Sequence, residues 1–362
     1  MEILGKEVVL SGTIIRGPEM EPFVGYLCLK KGIITEIGPG QVDADLDGII
    51  CPRFVNAHTH LGDSVIKDPP YMPLAELVGP GGLKHRTLAA TPRSALVEGM
   101  RRSMLEMVST GTFAFADFRE SGPDGVDLLL EAMQGIDLVP RILGRPDQRC
   151  PDGGCPDRGS FGIHPECWGL GISSTRDFSP SSVLEMAGLA RSECRAVALH
   201  AGEAGADDIR DALELGPKFL VHMCRASKED LREVARSGTP VVICPRSNLI
   251  TGAGLPDLRT MVELGITVSV GTDNVMLNSP DMFREMELIS KALLHDDRQV
   301  FKMCTINGAR VLDIDGRSGS IEAGKEGKLM VIDDKSNNMW GSADPLAAIV
   351  RRAGPSDIKA IF

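Results

Sequence analysis

Two histidines separated by one residue, His58 and His60, follow an apolar run from Gly48 to Val55. We interpret this run as a buried strand that ends in the two histidines. Side chains two positions apart on a strand point to the same face, so both imidazoles can reach one point. Neutral imidazole is the commonest protein ligand for a metal ion, and zinc accepts it. A bare pair of this kind is more typical of a surface loop, so the interpretation depends on the rest of the chain.

Three further polar residues, His200, His222 and Asp273, end later apolar runs. Together with His58 and His60, this places four of the seven histidines at predicted strand ends. Each has a simpler explanation alone. Asp273 could cap a helix, His222 could be a core histidine bonded to backbone, and His200 could precede a turn. Taken together, three imidazoles and a carboxylate are typical of a site for a divalent metal ion, with zinc first and iron or manganese as alternatives.

The chemistry that such a site favours is metal-assisted hydrolysis. A bound divalent ion lowers the pKa of water from about 15.7 to roughly 7, which supplies hydroxide near neutral pH. Asp273 would take the proton of the attacking water, and Glu203, three residues after His200, would carry it to the leaving group. His222 is either a fifth ligand or a donor that polarises the attacked centre and stabilises the tetrahedral intermediate.

Apolar strands alternate with helical segments from residue 49 to about residue 312, which is typical of a parallel sheet built from βα units. Helix boundaries include a start at Thr91-Pro92, a capping box that begins at Ser227 and a terminating glycine at Gly265. The first strand ends at His58 and His60, and seven more are predicted at 112–117, 138–143, 167–172, 196–200, 219–222, 240–244 and 267–273. The predicted fold class is α/β, a (β/α)8 TIM barrel, in which the active site lies at the carboxyl ends of the strands.

Both ends of the chain have strand character instead. Four short apolar runs precede residue 50, at 7–10, 12–15, 26–29 and 33–37. Lys31-Gly32 is a hairpin turn between the last two, and residues 318–333 predict a turn-rich strand pair. We expect residues 1–50 and 314–362 to form one split β-sandwich domain, and residues 51–313 to form the metal-dependent barrel.

The composition limits the partners. A net charge of −11 over 362 residues disfavours a nucleic-acid partner, and no apolar run is long enough for a membrane span. We expect no secretory signal, because the first residues show no basic region followed by an apolar run. The nine scattered cysteines fit reduced thiols, so we expect a cytoplasmic protein.

The longest irregular stretch runs from Gly144 to about His164 and contains Cys150 and Cys155. We interpret it either as a substrate loop or lid, or as a surface excursion. A lone C-x4-C pair is weak grounds for a metal site or a disulfide.

Five short motifs carry a resemblance to a known family. They are VNAHTH at 55–60, HAGE at 200–203, VH at 221–222, CPRSN at 244–248 and GTDN at 271–274. In this order and spacing they resemble the amidohydrolase superfamily, and more narrowly its deaminase/chlorohydrolase branch. That branch includes deaminases of cytosine, guanine and S-adenosylhomocysteine-type nucleosides, and triazine hydrolases. The closing GSIEAGKEGKLMVID resembles the family's β-sandwich domain, with Gly327-Lys328 where the family usually has Ala-Asp.

The resemblance implies a mononuclear site. Binuclear relatives bridge two metals with a modified lysine at the end of strand four, and the segment from Cys167 to Ser174 has no lysine. One divalent ion is therefore assigned to His58, His60, His200 and Asp273. The catalytic residues that the resemblance implies are Glu203, His222 and Asp273.

The chain departs from the branch in the segments that contact substrate, since the segment after HTH is short. The candidates for binding a polar substrate are Arg86, Arg145, Ser247 and Asn248, together with Arg119 and Asp63. Because the chain has only two Trp and two Tyr, a stacking site for a purine is not obvious; Phe118 or Trp168 are the candidates.

The function that the resemblance implies is an aminohydrolase that removes ammonia from a nitrogen heterocycle such as a purine, pyrimidine, pterin or nucleoside. One alternative is hydrolysis of a cyclic amide or another C–N bond, as in imidazolonepropionase-like relatives. Another is a non-catalytic member of the fold. The expected partner is a small molecule, with no nucleic acid and no membrane, and a homo-oligomer is left open.

Overall fold

The computed structural model describes residues 7–79, 81–145 and 163–362. Most of the irregular stretch interpreted as a substrate loop or lid, including Cys150 and Cys155, lies outside the described residues. The strands are β1 Glu7–Arg16, β2 Glu21–Lys30, β3 Ile33–Pro39, β4 Leu46–Pro52, β5 Phe54–His60, β6 Thr112–Arg119, β7 Val139–Gly144, β8 Gly169–Ile172, β9 Ala196–Ala201, β10 Phe219–His222, β11 Val241–Ile243, β12 Val268–Val270, β13 Asp273–Asn274, β14 Leu329–Ile332 and β15 Ile358–Ile361.

The α-helices are α1 Leu74–Val78, α2 Leu83–Ala90, α3 Arg93–Ser109, α4 Gly122–Met133, α5 Pro180–Ser192, α6 Ile209–Glu214, α7 Lys228–Ser237, α8 Pro245–Thr251, α9 Leu258–Glu263, α10 Met282–Leu288, α11 Asp297–Cys304, α12 Ile306–Val311 and α13 Pro345–Arg351. The predicted capping box is present at the start of α7, where Ser227 and Asp230 bond to each other's backbone N–H groups. In the described ranges, none of these helices combines the length and apolar character that a membrane span requires.

The barrel closes through its eighth strand. β5 to β12 are successive neighbours in one sheet. β12 pairs in parallel with β11, whereas β13 pairs in parallel with β5. Because β12 and β13 are two parts of one strand, interrupted only at Gly271 and Thr272, the two edges of the sheet are joined. The predicted fold class, a barrel of eight strands with a smaller β module from both chain ends, is confirmed.

The second sheet contains six strands in the order β15-β14-β4-β1-β2-β3. β4 runs parallel to β1 and antiparallel to β14, so the predicted pairing of N-terminal and C-terminal strands is confirmed. The core of this sheet includes Leu10, Ile14, Leu27, Ile50 and Val331, all fully buried.

The prediction of one strand from Gly48 into the two histidines is wrong. β4 ends at Pro52 in the six-stranded sheet, and β5 begins at Phe54 in the barrel. Arg53, between them, is buried, and its Nη2 atom donates to the carbonyl of Thr112 at 2.7 Å. Both strands are buried along almost their whole length, so hydrophobicity alone does not mark the change of sheet.

Two other strand predictions are corrected in the same module. The runs at 7–10 and 12–15 form the single strand β1, and the stretch at 318–333 contains one strand, β14, after a series of turns. Gly12 lies inside β1 and does not end a strand. Glycine is required at this position because the backbones of Gly12 and Gly48 approach so closely that a Cβ on Gly12 would lie 2.1 Å from the Gly48 carbonyl oxygen. A close approach of this kind depends on the partner strand.

The chain divides into two compact units. One comprises the described part of Met1–Val55 with Met107–Phe113 and Asp281–Phe362, and the other comprises Asn56–Glu106 and Ala114–Pro280. The predicted domain boundaries at 50/51 and 313/314 stay a prediction. The candidate site residues all belong to the second unit.

Candidate metal-binding active site

The carboxyl ends of three strands bring the four predicted ligands together. His58 and His60 end β5, His200 lies in β9, and Asp273 begins β13. All four are buried, with at most 7% of any of them exposed. Ligand atoms of His58, His60 and His200 lie within 4.8 Å of one another, and so do those of a second group, His58, His222 and Asp273. The structure therefore places the five residues at one point.

The side chains of His60 and His200 face each other through Nε2 atoms that carry no proton. The Nε2 atoms lie 3.3 Å apart. His60 Nδ1 lies 2.8 Å from a carboxylate oxygen of Glu120, and His200 Nδ1 lies 3.0 Å from the carbonyl oxygen of Ile172. Because carboxylate and carbonyl oxygens only accept, both Nδ1 atoms carry the proton and both Nε2 atoms present lone pairs. Two facing lone pairs at this distance are the arrangement that a shared cation stabilises.

Asp273 supplies the oxygen of the set. Its Oδ1 atom lies 3.2 Å from His58 Nε2 and 3.5 Å from His60 Nε2. Ser247 donates to Oδ2 at 2.5 Å, and Asn274 donates to Oδ1 at 3.0 Å. The carboxylate is therefore oriented from outside the site while one oxygen faces the imidazoles.

The protonation states suit a divalent cation. Burial lowers the pKa of His58, lowers that of His60 to about 3, and lowers that of His200 well below its ordinary value. Burial alone would raise the pKa of Asp273, but the imidazole of His58, 3.2 Å away, and the imidazoles of His222 and His60 hold it well below its usual range. Three neutral nitrogens and one anionic oxygen are a donor set that zinc accepts.

Three residues at the carboxyl ends of the barrel strands have a sparsely populated backbone conformation. His222, Met223 and Asp273 have φ values of +77°, +56° and +61°, in the left-handed region. Such residues cost on the order of 1–3 kcal/mol each and persist where the surroundings hold them. Position 271, two residues before Asp273, requires glycine, because a Cβ there would lie 2.5 Å from the Cβ of His58. Two of these three residues, His222 and Asp273, belong to the candidate site.

Glu203 and His222 lie side by side on the cavity wall. Oε2 of Glu203 is 3.7 Å from Nε2 of His222, and Nδ1 of His222 donates to Asn248 Oδ1 at 2.9 Å. Burial raises the pKa of Glu203, which favours the protonated form that a proton carrier needs. The cavity that both line has a volume of about 520 Å³.

Sequence reasoning missed two residues that hold the site. Glu120, the residue after β6, accepts from His60 at 2.8 Å and from Lys84 Nζ at 2.6 Å. Lys84, in α2, also donates to Asn274 at 3.0 Å, and 2% of the residue is exposed. Glu120 could have been found because it follows a barrel strand at the carboxyl end, but no pattern in the sequence points to Lys84.

The predicted substrate residues separate into distinct environments. Arg145 lines the cavity. Arg86 is exposed and is not among the residues that line the cavity. Its Nη1 atom donates to the carbonyl of Gly81 at 2.6 Å. Ser247 and Asn248 are fully buried behind Asp273 and His222, to which they bond. The structure brings only the first of these four side chains to the cavity.

Three other candidates, Arg119, Asp63 and Phe118, are buried and lie away from open space. Arg119 is buried and bonded to Glu120, and Asp63 accepts from the backbone N–H of Met276 at 3.0 Å. The buried ring of Phe118 packs behind the imidazoles, 4.6 Å from that of His58.

Comparison with known proteins assigns the family. The model of the amidohydrolase family matches residues 49–362. This chain belongs to the amidohydrolase family. The resemblance drawn from the sequence motifs is thereby confirmed, and with it the hydrolase class. A relative from Methanothermobacter thermautotrophicus, with only a provisional name as an aminohydrolase, is 35% identical to this amidohydrolase over 97% of the chain and 96% of its own length.

Other relatives of this amidohydrolase carry more specific names. A 5-methylthioadenosine/S-adenosylhomocysteine deaminase from Haloarcula marismortui is 28% identical over 90% of this chain and 84% of its own. Two solved structures share the fold. An adenosine deaminase from Xanthomonas campestris with bound zinc has a TM-score of 0.77 at 18% identity, over 98% of this chain and 91% of its own. A guanine deaminase from C. acetobutylicum has a TM-score of 0.79 at 17% identity, over 99% and 98%.

Proposed function

We propose that this amidohydrolase is a mononuclear, metal-dependent aminohydrolase that releases ammonia from an amino-substituted nitrogen heterocycle. The observation that carries the proposal is the pair of lone-pair-bearing Nε2 atoms of His60 and His200, 3.3 Å apart, on the same cavity as Glu203. The names of the relatives, which are deaminases of purine compounds, support the same reaction class.

The residues that would hold the metal are His58, His60, His200 and Asp273. Zinc suits this donor set best, and iron and manganese are the alternatives. When bound, such an ion lowers the pKa of a coordinated water to roughly 7 and so supplies the nucleophile.

The chain's own residues then move the protons. Asp273 accepts a proton from the attacking water as the oxygen bonds to the ring carbon. Glu203, whose pKa is raised, delivers a proton to the departing nitrogen, so that the C–N bond breaks with release of ammonia. His222, held through Nδ1 by Asn248, hydrogen-bonds the hydroxyl group that forms on the attacked carbon.

The test is ammonia release by the zinc-loaded protein from a panel of amino-substituted purines, pyrimidines, pterins and triazines. We expect ammonia and the corresponding oxo product from at least one class. A carboxylate product without free ammonia would instead identify hydrolysis of a cyclic amide. Silence across the panel with metal bound would contradict the proposal. The cytoplasmic location and the number of subunits stay predictions.

A further inference from the structure

The carboxyl group of Glu203 is placed by the turn that follows β9. The strand ends at Ala201, and the next two residues, Gly202 and Glu203, bring this carboxyl group to the cavity. Its Oε2 atom lies 3.7 Å from Nε2 of His222, a distance longer than a hydrogen bond. Because this contact is too long to fix the carboxyl group, the position of Glu203 depends on the backbone of the turn.

Gly202 is the residue at which this turn is held. Its φ value is +65°, and a Cβ on it would lie 3.1 Å from Cα of Met223, so both its conformation and its surroundings favour glycine. Its carbonyl accepts from the N–H of Arg225 at 2.8 Å, and its own N–H donates to Oδ1 of Asp208 at 2.9 Å. The backbone amide directly before Glu203 is therefore bonded to a side chain and not to a neighbouring strand.

The side chain of Asp208 joins two loops. Its Oδ2 atom accepts from Oγ of Ser174, after β8, at 2.9 Å, and 8% of the residue is exposed. Asp208 directly precedes α6, a position where an aspartate commonly accepts from the first turn of its own helix. Among the described residues of α6, no backbone N–H binds this side chain, whose two oxygens bond to Gly202 and Ser174 instead.

Two neighbouring aspartates show the contrast. Asp207 and Asp211 are exposed and pair with Arg176 at 3.1 Å and 3.7 Å. Asp208 is buried, and its bonds go to the turn of Glu203 and to the loop after β8. Of these three aspartates, Asp208 is the one whose contacts reach the active site.

The loop after β8 also begins at the anchor of a metal ligand. The carbonyl of Ile172, the last residue of β8, accepts from Nδ1 of His200 at 3.0 Å. Two residues later, Ser174 bonds to Asp208 and so to the turn of Glu203. The metal-binding imidazole and the proton carrier are thus attached to one support, which fixes their spacing.

We propose that Asp208 is a positioning residue for proton transfer by Glu203. It holds the N–H of Gly202 and so sets where the carboxyl group of Glu203 enters the cavity, while its bond to Ser174 ties the turn to the loop after β8. The inference rests on the proposed function and adds a positioning residue to it. A displacement of about 1 Å at a reacting group can cost roughly 100-fold in rate, so a small shift of this turn is sufficient.

The experiment compares the zinc-loaded wild-type protein with Asp208→Ala, which loses both bonds, and Ser174→Ala, which loses one. Asp208→Asn removes the charge but keeps both bonds, because its amide oxygen can accept from Gly202 and its amide nitrogen can donate to Ser174. Asp211→Ala is the matched control, since it removes an exposed aspartate of α6. Melting temperature and zinc content show that each variant is folded and loaded.

Two measurements are made on each protein. The first is kcat and KM for ammonia release from the best substrate of the panel. The second is the position of the Glu203 carboxyl group in crystal structures of the zinc-loaded wild type and Asp208→Ala, which does not depend on activity.

In Asp208→Ala we expect kcat to fall roughly 10- to 100-fold with KM within about threefold, and the carboxyl group of Glu203 to move by about 1 Å. Asp208→Asn should recover most of the loss, and Asp211→Ala should match the wild type. Ser174→Ala should lose less than Asp208→Ala. Because Ser174 acts through Asp208, combining the two alanine substitutions should be no worse than Asp208→Ala alone.

The two proposals fail in different ways. A displaced Glu203 in Asp208→Ala, without ammonia from the wild type on any substrate, supports the positioning role and counts against the deaminase function. Ammonia release with kcat unchanged in Asp208→Ala, or Glu203 undisplaced, overturns the positioning role alone. A kcat equally low in Asp208→Asn would assign the effect to charge, and a change confined to KM would assign it to substrate contact; either overturns the proposal. If Asp208→Ala does not fold or loses zinc, Ser174→Ala decides, and a wild-type kcat in that variant overturns it.

Discussion

The Nε2 atoms of His60 and His200 lie 3.3 Å apart although the residues are 140 positions apart in the chain. Each ring is fixed by its other nitrogen, one on Glu120 and one on the carbonyl of Ile172. Fixed rings with facing lone pairs are preorganised for a cation, because binding requires no rearrangement of either imidazole.

Replacing His200 with Asn should therefore remove the metal. We expect the bound zinc, measured by elemental analysis after dialysis, to fall from about one ion per chain to nearly none. His295→Asn is the matched control, because this histidine is exposed and its ring bonds to the carbonyl of Lys291, away from the candidate site. Equal zinc content in both variants would show that the metal is bound elsewhere.

Replacing Glu203 with Gln should separate binding from chemistry. The amide keeps the shape of the side chain but cannot carry the proton, so we expect kcat to fall by about 10²- to 10⁴-fold with zinc content retained. Glu214→Gln, at the exposed end of α6, controls for loss of a carboxylate elsewhere. A kcat close to that of the wild type would remove Glu203 from the mechanism.

Ser247→Ala tests whether this serine positions Asp273 or touches substrate. Its Oγ atom donates to Asp273 Oδ2 at 2.5 Å. Loss of a bond that orients a metal ligand typically weakens metal affinity by about 10- to 100-fold, so we expect weaker zinc binding with little change in KM. A raised KM with unchanged zinc affinity would instead indicate substrate contact.

Lys84→Met should destabilise the fold strongly. It leaves the buried carboxylate of Glu120 with one cation fewer, and breaking a buried ion pair costs about 3–5 kcal/mol. The control is Lys335→Met, whose partner Asp47 is exposed, and we expect a change in the free energy of unfolding below about 1 kcal/mol. Similar urea midpoints for the two variants would contradict the assigned role.

Asp63 should make stability depend on pH. Burial raises its pKa to about 7, so between about pH 4 and 7 the folded state holds a proton that the unfolded state has lost. Stability from this group therefore falls as pH rises through that window, by at most about 1.4 kcal/mol per pH unit. Relative to wild type, Asp63→Asn should gain stability between pH 5 and pH 7 in urea titrations. A constant difference across that range would contradict the assignment.

The sequence by itself was sufficient to predict the barrel and the convergence of His58, His60, His200, His222 and Asp273. The reason is geometric. Alternating strands and helices specify a parallel barrel, and the carboxyl ends of its strands meet at one rim, so polar residues at strand ends must lie close together. No knowledge of individual contacts is needed for this step.

Only the tertiary structure decided which residues support the site. Lys84 and Asn274 are 190 positions apart, and their contact follows from the packing of α2 against the rim rather than from any local pattern. For the same reason the sequence could not separate Arg145, which faces the cavity, from Arg86, which faces solvent. Strand ends have a position set by the backbone hydrogen bonds of the sheet, whereas the direction of a side chain in a connecting segment depends on neighbours distant in the chain.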